Sequence, residues 1–143
     1  MKLSTALRNY ILSSGSLKAA LAGGEIRIYA GTVPTTADDS IGSATLLVTI
    51  KNAGAGINFD TTAAAGILAK APGETWSGVN AATGTAAFFR HVLSADTGAS
   101  STTAVRIQGT CAVAGADINL TSVALTSGAT QTIDAYSVAQ PAG

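Results

Sequence analysis

The sequence predicts a mainly β protein: a single antiparallel β-sandwich, of jelly-roll or immunoglobulin-like type, or a barrel, with a short N-terminal helical arm. From Glu25 onward the apolar residues repeat with period two, as in Glu25–Tyr29, which is typical of a half-buried strand. About seven or eight such segments recur at roughly ten-residue spacing, separated by turn residues, as in sandwiches and barrels. Strands do not alternate with helical patterns after residue 25, which argues against a parallel α/β fold.

The composition indicates a folded protein that associates with other chains. Hydrophobic residues make up 47% of the 143 positions, whereas charged residues make up 11% and the formal net charge is zero. Enough apolar surface is present for one modest core. The eight basic residues are scattered and matched by eight acidic ones, so no basic stripe for nucleic acid is present. A surface this poor in charge favours burial against copies of the same chain, and we expect a homodimer or homotrimer.

Only the N-terminal region has a helical pattern. Leu3, Leu7 and Ile11 recur every four residues, Ser4 is a predicted N-cap, and the sequence Ser13-Ser14-Gly15 predicts the end of the helix. Ser16 is expected to cap a second short turn over Leu17–Ala22. We therefore divide the chain into a helical arm, residues 1–23, and a β-domain, residues 24–143. Because so short a helix needs a surface to pack on, the arm is expected to bind neighbouring subunits.

The strand pattern also predicts which side chains are buried. Leu46, Val48 and Ile50 are expected to point inward, and Phe88 and Phe89 to lie on opposite, covered faces of one strand. One further strand is predicted to place its apolar side chains on a single face, namely Val105, Ile107, Cys111 and Val113.

Residues that could carry chemistry are few. His91 is the only histidine and lies within a strand pattern, where a structural role is favoured over a general base. Cys111 falls on an apolar strand face, as a buried, unreactive thiol does. Asp38, Asp39 and Asp60 lack the spacing of a calcium loop and are interpreted as turn-capping residues. We therefore predict no catalytic residue, no metal site and no cofactor.

Trp76, the only tryptophan, follows the Pro72-Gly73 turn. It is predicted to plug one end of the β-domain or to contact another subunit, with stacking on a sugar as a weaker alternative. The candidate assembly contacts share large apolar or aromatic side chains outside the clearest core pattern: Leu3, Leu7, Tyr10, Ile11, Trp76 and Phe88.

Neither a signal peptide nor a membrane span is expected. The N-terminal apolar stretch is broken by Arg8 and Asn9, and the sequence contains no run of about eighteen apolar residues. The chain is therefore expected to fold in the cytoplasm and to have no membrane partner.

Three stretches together resemble a group of small proteins encoded among the structural genes of tailed bacteriophages. They are Leu7-Arg8-Asn9 through Leu17-Lys18 into Ile26–Pro34, then Ala71–Gly78, then Thr103–Gly109 with Gly128–Asp134. The resemblance implies a non-enzymatic protein of the virion, folded in the host cytoplasm, that contacts itself and other virion proteins such as the major capsid protein. Capsid decoration, or cement, is the favoured role. A collar, neck or tail accessory protein and a carbohydrate- or receptor-binding module remain alternatives.

Overall fold

A computed structural model describes residues 1–142 of the chain and has a mainly β fold, which confirms the predicted fold class. Two short helices lie close together near the N-terminus, and twelve strands make up the regular structure of the rest of the described residues. In chain order the elements are β1 (Lys2–Leu3), α1 (Thr5–Ser13), α2 (Leu17–Ala20), β2 (Glu25–Ala30), β3 (Thr45–Asn52), β4 (Ile67–Ala69), β5 (Trp76–Val79), β6 (Gly84–Thr85), β7 (Phe88–Val92), β8 (Arg106–Ala112), β9 (Ile118–Asn119), β10 (Ala124–Leu125), β11 (Thr130–Ile133) and β12 (Ser137–Ala139).

One large sheet organises the molecule. Its strand order is β1-β8-β7-β2-β3-β5-β11, all antiparallel, and β9 adds a short parallel pairing to β8. Two small two-stranded sheets, β10-β6 and β12-β4, complete the fold. Within residues 1–142 the two ends of the large sheet, β1 and β11, do not pair, so this sheet is not closed into a barrel.

A β-bulge between β2 and β3 explains one wrong prediction. Ile28 pairs with Val48, but Tyr29 pairs with Leu46, which leaves Leu47 without an opposite residue. The extra residue reverses the alternation at this end of β3. Leu47 is therefore fully buried, whereas Leu46, which was predicted to point inward, is 37% exposed. Val48 and Ile50 are buried as predicted.

The core lies on one face of the large sheet. Alternate residues of β2, β3, β7 and β8 point into it, and the side chains of the helices and later loops cover them. The prediction for β8 holds for Ile107 and Cys111, but Val113 lies beyond the strand and is 62% exposed. The buried aliphatic and aromatic side chains at the centre include Leu7, Leu21, Ile26, Ile28, Ile50, Ile57, Phe59, Trp76, Phe89, Ile107 and Tyr136.

Strand β7 is interior, as the two adjacent phenylalanines predict. It pairs with β2 on one side and with β8 on the other. Phe89 points into the core, whereas Phe88 points to the opposite face and stacks on Tyr29 with ring centroids 5.0 Å apart. Both phenylalanines are fully buried, so both faces of β7 are covered within the single chain.

The second face of the large sheet carries a buried polar layer, which we define as Glu25, Arg27, Arg90, Asp96, Arg106 and Gln108. Arg106 forms an ion pair with Asp96, with Nε 2.5 Å from Oδ2, and the two side chains are 1% and 4% exposed. Arg90 donates through Nε and Nη2 to Oε1 of Gln108, at 3.0 and 2.9 Å. Arg27 binds Glu25, with Nη2 2.7 Å from Oε1.

The polar layer ties two long loops to the sheet. In the loop before β3, the carbonyl oxygens of Pro34, Ala37 and Asp39 accept hydrogen bonds from Gln108, Arg106 and Arg90 respectively. In the loop before β8, the carbonyl oxygen of Ala99 accepts a hydrogen bond from Arg106 at 2.8 Å. These turn-rich loops therefore form the cover of the sheet's second face.

The N-terminal segment packs on its own domain. Oγ of Ser4 accepts hydrogen bonds from the backbone N–H of Leu7, as the predicted N-cap should, and also from the N–H of Arg106 in β8. Helix α1 ends at Ser13, where the N–H groups of Ser14 and Gly15 both donate to the carbonyl of Tyr10. Both predicted capping serines are confirmed, since Oγ of Ser16 accepts from the N–H of Ala19.

The prediction that residues 1–23 form an arm held by neighbouring subunits is wrong for this structure. β1 pairs with β8, and Leu7 and Leu21 are fully buried in the same core as the strands. The accessible surface of 6,996 Å² is close to the roughly 6,700 Å² expected of a compact monomer of this mass. An apolar helical stripe needs a surface to pack on, and here the chain's own sheet provides it.

Close packing of β5 on β3 provides a first test of the fold. A Cβ added at Gly78 would lie 2.2 Å from the backbone oxygen of Thr49, which cannot move without disturbing the ladder. We expect Gly78→Ala to lower the free energy of unfolding by about 1–3 kcal/mol in urea titrations. Gly73→Ala is the matched control, because nothing lies within 4 Å of its added Cβ. Equal stability of the two variants would contradict this packing.

Candidate assembly surface

Of the four predicted assembly contacts near the N-terminus, one is buried and three are partly exposed. Leu7 is fully buried against the sheet, so its assignment as an assembly contact is wrong. Leu3, Tyr10 and Ile11 pack against the core and keep part of their surface in solvent. These three therefore stay available to a partner.

Trp76 and Phe88, the other two predicted contacts, are also buried within the chain. Trp76 is 1% exposed, lies 5.7 Å from Tyr136 between ring centroids, and donates through Nε1 to Oε2 of Glu74 at 2.6 Å. Nζ of Lys70 lies 5.6 Å from its ring centroid. Trp76 is thus a buried residue of the core and not an assembly contact, and its ring offers no open face on which a sugar could stack. The prediction of Trp76 as an assembly contact failed because the residue belongs to β5, which lies between β3 and β11 in the large sheet.

Several large apolar side chains that were not among the predicted assembly contacts are exposed. Leu12, at the solvent side of α1, is 84% exposed. The remaining ones are scattered over loops and strand ends: Met1, Val33, Leu46, Ile67, Val79, Leu93 and Val113.

The surface is poorer in charge than the sequence indicates. Of the sixteen charged side chains, four of the five in the polar layer are almost fully buried, and Arg27, the fifth, is partly buried; the four are Glu25, Arg90, Asp96 and Arg106. The remaining twelve are spread over 6,996 Å². A surface with few charges and several exposed apolar side chains gives weak protection against association.

His91 lies at the centre of the core. Its Nδ1 is 3.4 Å from the hydroxyl of Tyr136, and its ring centroid is 5.4 Å from that of Phe59. Its Nε2 has no hydrogen-bond partner among the described residues. Burial lowers the pKa of His91 from 6.5 to about 3, so the imidazole is neutral at physiological pH. A fully buried ring cannot reach a substrate, as expected of a structural histidine.

This histidine should make the protein sensitive to mild acid. In the unfolded chain His91 takes up a proton near pH 6.5, whereas the folded protein resists protonation until about pH 3. The unfolded state therefore binds more protons between these values, and stability falls as the pH drops below 6.5. We expect a loss of about 1–2 kcal/mol between pH 6.5 and pH 5. Urea titrations of His91→Phe between pH 6.5 and pH 5 should show little of this loss. If the variant loses as much stability over this range as the wild-type protein, His91 is not the source of the acid sensitivity.

Cys111 is buried, and the three aspartates that were predicted to cap turns accept hydrogen bonds within the domain. Cys111 is 7% exposed, and burial together with the charge of Asp117 raises its pKa to about 12, which keeps the thiol protonated and unreactive. Asp38 accepts from the N–H and hydroxyl of Thr5. Asp39 and Asp60 accept from the nearby backbone N–H groups of residues 36 and 61. The adjacent aspartates thus bind different partners instead of converging.

Residues 1–142 contain no cluster of three or more His, Cys, Asp or Glu side chains arranged to hold a metal ion. Neither helix in that range has the length and apolar character needed to cross a bilayer. Comparisons with protein-family models, with curated proteins and with solved structures give no match for this chain.

Proposed function

We propose that this chain is a non-enzymatic structural protein that works in multiple copies in the virion of a tailed bacteriophage, as a capsid decoration or cement protein. The observation that carries the proposal is the low charge of its surface. Withdrawal of four charged side chains into the polar layer leaves a surface suited to burial against other subunits. The phage context comes from the sequence resemblance described above.

The surroundings of the reactive side chains support a non-enzymatic role. His91 and Cys111 are buried in the core, where a dissolved substrate does not reach them. Asp96 is committed to its ion pair with Arg106. Each group therefore has a structural role that accounts for its position.

Electron cryo-microscopy of particles of the phage whose genome carries this gene tests the proposal. Density for the domain repeated over the head lattice, in contact with the major capsid protein, is the expected result. Density confined to the neck, collar or tail would replace decoration by an accessory role in that part of the particle. If mass spectrometry of purified particles does not detect the chain, the proposed virion function is wrong.

A further inference from the structure

We draw no further inference here: the strongest candidate, the outer edge of β12, is unpaired within residues 1–142 and borders a groove lined by Leu3, Leu17 and Val138, but nothing in the structure shows what covers it.

Discussion

Leu7→Ala is expected to lower the free energy of unfolding by about 2–5 kcal/mol, the range for truncating a buried leucine. The side chain of Leu7 is fully buried between α1 and the large sheet, so the substitution leaves a cavity. The substitution also tests whether the N-terminal segment is part of the domain. Chemical unfolding followed by the fluorescence of Trp76 gives the measurement.

Helix α1 offers its own control. Leu12 is 84% exposed, so Leu12→Ala should change stability by less than about 0.5 kcal/mol. A chain that begins at Gly24 loses β1, Leu7 and Leu21 together and should fail to fold, as judged by circular dichroism. If that shortened chain folds normally and only its assembly is lost, the segment acts as an arm and the packing described above is wrong.

Asp96→Ala should lower the free energy of unfolding by about 3–5 kcal/mol, because it leaves the Arg106 guanidinium in the interior without a carboxylate partner. The ion pair is almost completely buried, with side chains 4% and 1% exposed. Oδ1 of Asp96 also accepts from the N–H of Gly98 at 2.7 Å, so the substitution should loosen the loop that covers the sheet. Thermal and urea unfolding measure the loss.

Two further variants make this result specific to the pair. Asp134→Ala removes an exposed carboxylate and should be nearly neutral. The double replacement of Asp96 by alanine and Arg106 by methionine removes both charges, so it should be more stable than Asp96→Ala alone. A loss below about 1 kcal/mol for Asp96→Ala would show that the pair contributes no more than a surface ion pair.

Local signals in the sequence predicted the local structure well. Ser4 and Ser16 cap helices as expected, because capping depends on a hydroxyl and an N–H only three residues apart. The period-two pattern located β2, which spans Glu25–Ala30, and it identified β7 as covered on both faces. These features need no knowledge of distant residues.

Features that depend on distant pairing were not predictable. An amphipathic helix has the same pattern whether it packs on its own sheet or on another chain, so the burial of Leu7 had no separate signal. The bulge at Leu47 needs the register between two strands, which a single strand does not encode. The free edge of β12 likewise depends on which strands pair, and its residues Ser137 and Ala139 are small and unremarkable in the sequence.

The pairing of β1 with β8 constrains how the chain can be made. Leu7 docks beside a strand that begins at Arg106, so its burial waits for about a hundred more residues to be synthesised. At about 5–20 residues per second, that interval lasts about 5–20 seconds. During this time the apolar N-terminal segment has no native surface to cover it and is open to ribosome-associated chaperones. Nascent chains arrested before Arg106 should therefore bind such chaperones, and full-length chains released from the ribosome should no longer bind them.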